Sequence, residues 1–390
     1  MKNVKEGWMT RAVHAGNGVD AQTRAIKRPI TMANSYALPY DPTEMSWSGA
    51  GAALYTRNGG ANQQYLQEKL CALENGEDCV VLASGVAALS GVFFTFLRSG
   101  DHVIVSDVTY IAVYRLLHEY FPDKYGVEVT LADTSDLEAV RGAVRPNTRL
   151  IHIETPGNPT LKISDIAAIA EIAHSCGAIL SVDNTFASPL NQIPLDLGAD
   201  LCIESLTKYI NGHGDAMGGA VIGRKELLDL IRAQAMINLG GTISPFNAWL
   251  IMRGAVTLPL RMRQHNESAI KVAQFLKAQA GVWFVAYPGL PGDPGHETAR
   301  KQMDGFSGML AFGLKGDHDA HCRFISHLRI ITSAVSLGHD ASLIAFLGEK
   351  DERQYLYPKT FQDGFFRLSV GLEDADDLIA DLRQALEQIE

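Results

Sequence analysis

The stretch Asp200-Leu201-Cys202-Ile203-Glu204-Ser205-Leu206-Thr207-Lys208-Tyr209 decides how the rest of the chain is read. Leu201-Cys202-Ile203 is a short apolar run of the kind that forms a strand buried on both faces. It runs out into two hydroxyls and a lysine: Ser205, Thr207 and Lys208. A lysine at the end of a buried strand can serve as a nucleophilic amine or a base, and hydroxyls beside it can hold an anion.

Similar runs flank it. Upstream are Cys79–Ala83, His102–Ser106, Leu150–Ile153 and Ala178–Val182, and downstream is Gly219–Ile222. Helical patterns lie between them, over Val86–Leu97, Tyr110–Tyr120 and Ser164–His174. This alternation predicts an α/β fold with a mostly parallel sheet covered on both faces. A helix is expected from Asn62 through Tyr65, Leu66, Leu70 and Leu73 to a stop at Gly76. Residues 1–60 are irregular, with Pro29, Pro39 and Pro42, and read as an extended arm that wraps another part or another subunit. From Pro245 long amphipathic stretches (Phe246–Arg253, Leu258–Ala280) precede short strands at Gly308–Phe312 and Phe366–Val370 and a last helix at Ala375–Ile389. The expected organisation is an arm (1–60), a large domain (61–244) and a smaller C-terminal α+β domain (245–390).

Bulk properties narrow the function. At 390 residues, 46% hydrophobic and 20% charged, the chain reads as a globular protein of more than one core. A net charge of −10 argues against a nucleic-acid binder, which carries a basic face. The cysteines Cys71, Cys79, Cys176, Cys202 and Cys322 form no C-x-x-C pair and suggest reduced thiols, hence a cytoplasmic location. Met1–Gly16 lacks the apolar core of a signal peptide, and no run approaches the about 20 apolar residues of a membrane span.

In open α/β sheets ligands sit outside the carboxyl ends of the strands. Those ends carry Ser84-Gly85-Val86, Ser106-Asp107-Val108-Thr109-Tyr110, Glu154-Thr155-Pro156-Gly157-Asn158-Pro159, Asp183-Asn184-Thr185, and Ser205, Thr207 and Lys208. Each group suits one part of pyridoxal 5'-phosphate. Gly85 and Val86 open a helix, whose free amides bind phosphate, and Ser205 and Thr207 can add hydroxyls. Asp183 can pair with a protonated ring nitrogen, and Asn158 can donate to the ring's phenolic oxygen. Tyr110 can stack on the ring and exchange protons, and Lys208 can form the Schiff base.

The segments Ser205-x-Thr207-Lys208-Tyr209 with Gly212-His213-x-Asp215, Val182-Asp183-Asn184-Thr185-Phe186, Glu154–Pro159 and Tyr55-x-Arg57 resemble the Cys/Met-metabolism family of fold-type I pyridoxal-phosphate enzymes. So do Gly295-His296-Glu297, Gly305–Met309, Ser336-Leu337-Gly338 and Phe366–Glu373. The resemblance covers nearly the whole chain. It implies that Tyr55 and Arg57 reach the phosphate in a neighbouring subunit, that Arg367 clamps the substrate's α-carboxylate, and that Ser336 orients that carboxylate or Lys208. It implies a homo-oligomer, a dimer of dimers in most of the family, and an amino-acid substrate.

Within the family the sequence favours a lyase that eliminates a γ-substituent from an L-amino acid. Val335 replaces the glutamate usual in cystathionine γ-lyase and γ-synthase, and Leu337 the tryptophan of enterobacterial cystathionine β-lyase. That combination looks most like methionine γ-lyase. Yet Ile111-Ala112-Val113 replaces that enzyme's Gly-Cys-Thr and Met236-Ile237 its Lys-Asp pair, and Gly60-Ala61-Asn62 replaces the Asn-Pro-Thr usual after Arg57. Arg263–Ser268 and Asp376–Leu382 resemble cystathionine β-lyases. The candidate substrates are therefore methionine, homocysteine, O-substituted homoserines and canavanine. A cystathionine β-lyase and a γ-replacement synthase using a thiol stand as alternatives.

Other features carry less. Gly49-Ala50-Gly51 follows no strand and lacks the third glycine of a dinucleotide fingerprint. Asp317-His318-Asp319-Ala320-His321 reads as a solvated loop, and no metal site is expected. His213 reads as a packed, hydrogen-bonded residue.

Overall fold

The computed structural model describes residues 6–38, 40, 41, 43, 54–347 and 350–389. Pro39, Pro42 and the Gly49-Ala50-Gly51 run lie outside these. Strands β1 (Asp78–Leu82), β2 (His102–Ser106), β3 (Glu128–Ala132), β4 (Thr148–Glu154), β5 (Ile179–Asp183), β6 (Leu201–Glu204) and β7 (Gly219–Gly223) form one sheet, ordered β1-β7-β6-β5-β4-β2-β3. β6, β5, β4, β2 and β3 run parallel, and only β7 opposes its neighbours. Every residue of β2 and β6 is buried, and Val103-Ile104-Val105 and Leu201-Cys202-Ile203 within them read as apolar runs. β3 is an edge strand whose Glu128 is exposed and whose Val129, Thr130 and Leu131 are half-buried. No apolar run announces it.

Alternate residues of each strand enter opposite cores. Val80, Leu82, Val103, Val105, Leu201 and Ile203 pack under the helices Gly85–Phe96 and Lys225–Ile231. Ile104, Ile151, Ile153, Leu180 and Val182 meet the helix Ile166–Ser175 on the other face. Cys79, Val81, Cys202 and Ile222 face the helices Ala61–Glu74 and Pro245–Ala255. The helix expected over Tyr110–Tyr120 is longer and irregular: Ile111–Arg115, a π-helical stretch Leu116–Tyr120, then Phe121–Tyr125.

A second sheet contains β8 (Val282–Ala286), β9 (Met309–Leu314), β10 (Thr332–Ser333), β11 (Leu343–Leu347) and β12 (Phe365–Ser369), ordered β10-β11-β12-β9-β8. It is antiparallel except for β10 beside β11. The helices Leu258–Lys277, His318–His327 and Ala375–Leu386 cover it. Pro245 opens a helix that packs on Ala61–Glu74, so the large-sheet core continues past the change in sequence pattern. The 20-residue helix that follows joins the two cores. Its Leu258 and Met262 lie in the large-sheet core, and its Ala269, Val272, Ala273 and Leu276 lie in the second.

Asp317 caps the helix His318–His327 by accepting from the Ala320 amide at 2.9 Å, and His321 is buried against Phe346 and Phe366. His213 Nδ1 lies 2.6 Å from the Asn211 carbonyl. All five cysteines are free. Among the described residues no helix is long and apolar enough to cross a membrane.

Candidate active site

A cavity of about 520 Å³ opens where β1, β2, β4, β5 and β6 end. Gly85, Val86, Tyr110, Asn158, Asp183, Ser205, Thr207 and Lys208 line it from the large sheet, and Ser336 and Arg367 from the second. The strand-end residues singled out in the sequence thus meet in one place. Tyr55 and Arg57 do not line it. Tyr55 forms an isolated bridge with Ser35 and is 41% exposed, with the Arg57 guanidinium 5.1 Å above its ring.

One end of the cavity is built for an anion. Ser84 caps the helix Gly85–Phe96 by accepting from the Ala87 amide, which leaves the first-turn amides of Gly85 and Val86 without intrahelical partners. Ser205 seals this corner: a Cβ on Gly85 would lie 2.8 Å from its Oγ, so only glycine lets the helix start approach so closely. The Thr207 hydroxyl sits 3.2 Å from both the carbonyl and the amide of Gly218, which fixes its rotamer at the cavity wall.

The middle of the cavity presents Asp183 and Lys208. Burial pushes the Asp183 carboxyl up, against the hydrogen bonds from Thr185 that pull it down. Among the described residues no cationic side chain pairs with it. A buried, uncompensated carboxylate is costly unless a cation arrives. Lys208 Nζ donates to Ser336 Oγ at 2.6 Å. Burial, and then the charge of Arg367, push its ammonium down to about 8, which makes a free amine accessible near neutrality.

At the far end, Arg367 Nη1 donates to Asn158 Oδ1 at 2.9 Å and Nη2 to the Ser336 carbonyl at 3.1 Å. Arg367 lies between the buried Phe366 and Leu368 on β12, and the strand alternation turns it towards the cavity. Burial and the nearby Arg353 lower its pKa, so this end of the cavity favours an anion.

Several residues to which the sequence reading gave no individual role hold this arrangement. Buried Glu154 accepts from the Tyr110 amide at 2.7 Å, the Thr109 hydroxyl at 3.0 Å and the Asn158 amide at 3.1 Å. Burial, and then Asp183, push it up to about 8. Arg353 reaches from the C-terminal unit to the Thr109 carbonyl at 2.5 Å and is held by Asp351 at 2.7 Å. Burial works against the Asp351 charge, but hydrogen bonds from Arg353 and Tyr357 hold its carboxyl at about 2. The links from Glu154 to Thr109 and Tyr110 and from Arg353 to Thr109 span 44 to 244 residues, so no local spacing reveals them.

Below Asp183 lies a buried pair of carboxyls, Glu74 and Glu204. Asn184 Nδ2 donates to Glu204 Oε1 at 3.0 Å and Glu74 Oε1 at 3.3 Å. Burial pushes Glu74 up to about 7, and burial together with Glu74 pushes Glu204 well up. A proton held between them removes the repulsion. Because the folded pKa of Glu74 is raised, its contribution is fully present below the unfolded value of 4.5 and is lost as pH rises through about 7. Glu74→Gln is therefore expected to remove this loss and to stabilise the protein at pH 8 by about 1–3 kcal/mol relative to wild type. Denaturant midpoints of both proteins at pH 5 and pH 8 check this. Equal slopes with pH would show that the pair holds no such proton.

The donor set fits pyridoxal 5'-phosphate: an anion cradle, a carboxylate in need of a cation, and a lysine with a depressed pKa between them. Residues 9–387 match the family model described as Cys/Met metabolism PLP-dependent enzyme. The chain is 56% identical over 385 residues to a canavanine gamma-lyase of Rhizobium leguminosarum bv. trifolii, covering 97% of this chain and 95% of the relative. It is 39% identical to an L-methionine gamma-lyase of Treponema denticola, covering 99% and 98%. The crystal structure of a cystathionine gamma-lyase from Lactobacillus plantarum complexed with L-serine superposes with a TM-score of 0.90 at 35% identity, covering 98% of this chain and 99% of that one. The strand-end residues, the cavity they share and these likenesses lead to one conclusion: the chain belongs to the Cys/Met-metabolism family of pyridoxal-phosphate-dependent enzymes.

Proposed function

We propose that the chain is a γ-lyase acting on L-canavanine, whose oxyguanidine group leaves from Cγ. The observation that carries this reading is the 56% identity to a protein named canavanine gamma-lyase, against 39% to the methionine gamma-lyase. The substitutions Ile111-Ala112-Val113 and Met236-Ile237, which set the chain apart from methionine γ-lyases, support it. Apolar Val335 and Leu337 at the cavity suit a substrate whose far end is not a second amino acid, unlike cystathionine.

When bound, pyridoxal phosphate supplies an electron sink that stabilises negative charge at Cα. In this reading Gly85, Val86 and Ser205 hold its phosphate, with Thr207 beside them. Asp183 keeps the ring nitrogen protonated and Asn158 Nδ2 faces the phenolic oxygen. Arg367 fixes the substrate α-carboxylate in a bidentate grip, with Ser336 holding Arg367 and Lys208 in register. Lys208 takes the proton from Cα and later one from Cβ, which γ-elimination requires and β-elimination does not. Tyr110 gives a proton to the departing oxygen. Tyr110→Phe is expected to lower kcat on canavanine about 100-fold with little change in KM, read from initial rates.

Tyr55 and Arg57 are proposed to complete the phosphate site of a neighbouring copy, in a dimer or a dimer of dimers in the cytoplasm. Inactive Arg57→Ala and Lys208→Ala proteins, unfolded and refolded together, should then regain about one quarter of wild-type activity, because each mixed dimer holds one intact site. No regain would place Arg57 in its own subunit's site. The substrate is tested by incubating the holoenzyme with canavanine, methionine, homocysteine, O-acetylhomoserine and cystathionine, with and without a thiol, and identifying every product. Hydroxyguanidine from canavanine without a thiol is expected. Pyruvate from cystathionine alone would overturn the reading for a β-lyase, and a strict need for the thiol would overturn it for a synthase.

A further inference from the structure

Lys208 does not end its hydrogen-bond chain at Ser336. Ser336 Oγ also lies 3.1 Å from His339 Nε2. The Lys208 ammonium can only donate, so Ser336 accepts from it and turns its own hydroxyl hydrogen to His339 Nε2. Ser336 holds this position at φ 86°, a left-handed conformation that costs a non-glycine residue energy and persists where the surroundings impose it. Its carbonyl is tied to Arg367 at 3.1 Å and its hydroxyl to Lys208 at 2.6 Å. The His339 ring rests on the Gly212–Asp215 turn: a Cβ on Gly214, itself at φ 67°, would lie 3.0 Å from Nδ1. His339 is half-buried, and Nδ1 has no protein partner among the described residues and is not enclosed. One nitrogen therefore faces the active-site chain and the other faces water.

We propose that His339 is a positioning residue for Lys208, which it connects through Ser336 Oγ to solvent, so that protons Lys208 collects from substrate carbons exchange with bulk water. The inference rests on the reading of Lys208 as the proton carrier of the γ-lyase. The transfer balances without a further reactant. As a proton passes from Lys208 Nζ to Ser336 Oγ, the Ser336 hydroxyl proton passes to His339 Nε2. His339, now an imidazolium, releases its Nδ1 proton to water. The reverse sequence reloads Lys208. Two-proton chemistry at Cα and Cβ gives such a path a use, because Lys208 must unload between the two abstractions.

The groups around His339 suit the role. Burial, and then the Lys208 charge, push it below the ordinary histidine range, and Asp340 on its own turn pulls the other way. On the opposing turn Asp215 is occupied by Asn211 at 2.8 Å, and His213 by the Asn211 carbonyl. A neutral His339 is thus the resting acceptor at neutral pH.

Two measurements test this. The first uses cofactor-free protein and needs no turnover. The pH midpoint of His339 is read by hydrogen exchange at its ring Cε1, followed by peptide mass spectrometry. In Lys208→Met it should rise by about one unit, because the nearby positive charge is gone. An unchanged midpoint would overturn the coupling. The second uses holoenzyme in deuterated water with L-norvaline, which has Cα and Cβ hydrogens but no leaving group. His339→Gln, which keeps a hydrogen-bond acceptor but cannot carry a proton, should slow deuterium entry at Cα about tenfold. The Kd for norvaline, from cofactor absorbance, should stay within about twofold of wild type, since the glutamine still positions Ser336. Unchanged deuterium entry would overturn the path, and a weakened Kd with proportionate loss would reduce His339 to a packing role. If wild-type enzyme exchanges no hydrogen of norvaline, the γ-lyase reading fails, and the cofactor-free titration alone decides whether Lys208 and His339 are coupled.

Discussion

Lys208→Ala is expected to abolish turnover of every substrate, to below about one ten-thousandth of wild type, because in the proposed mechanism one side chain serves both as the amine that holds the cofactor and as the base. Ser336 is the side chain hydrogen-bonded to Lys208 Nζ, and its hydroxyl cannot replace an amine. Tyr110 is 37% exposed and anchored through its amide to Glu154, with its ring facing the leaving group in the proposed arrangement. The fold should survive. Lys208 is a buried cation pressed by Arg367, so its removal relieves an unfavourable charge. The thermal midpoint of the cofactor-free variant should equal or exceed that of wild type, and the ~420 nm absorbance of the loaded protein should disappear. Retained turnover in a protein lacking that absorbance would remove the lysine from the mechanism.

Arg367→Ala should be the next most damaging change, lowering kcat/KM by about 100- to 1,000-fold, chiefly through KM. In its absence the substrate carboxylate enters a buried end of the cavity with no bidentate partner. Asn158 Oδ1 and the Ser336 carbonyl lose their donors at the same time, so the side chain proposed to face the ring and the one bonded to Lys208 both loosen. Arg367→Lys should rescue little, because a single ammonium cannot donate to Asn158, Ser336 and a carboxylate in the planar geometry that the guanidinium provides. Initial rates over a range of canavanine concentrations separate the two constants. A variant with normal KM would show that another group, Arg353 foremost, binds the carboxylate.

The large sheet was legible because its inner strands are buried on both faces and carry apolar runs, Val103-Ile104-Val105 in β2 and Leu201-Cys202-Ile203 in β6. Its strand ends were legible too, since polar residues that interrupt such runs stand out. The edge strand β3 was not, because Glu128 and Thr130 face outward and break the run. The supporting network was hidden for a different reason. Arg353 meets Thr109 across 244 residues of chain, and Glu74 meets Asn184 across 110. His339 stands beside a motif that was read, Ser336-Leu337-Gly338, yet its bond to Ser336 depends on a left-handed turn that residue types alone do not declare.

The helix Leu258–Lys277 has a consequence for how the enzyme admits its substrate. A rigid rod with one end embedded in each core cannot let the two lobes swing apart without tearing side chains out of one of them. Arg367 and Lys208 belong to different lobes, and the rod, together with the bonds from Arg367 to Asn158 and from Lys208 to Ser336, sets their spacing before any amino acid arrives. Entry then falls to surface loops around the cavity mouth, and the two halves of the molecule should melt as one cooperative unit in calorimetry.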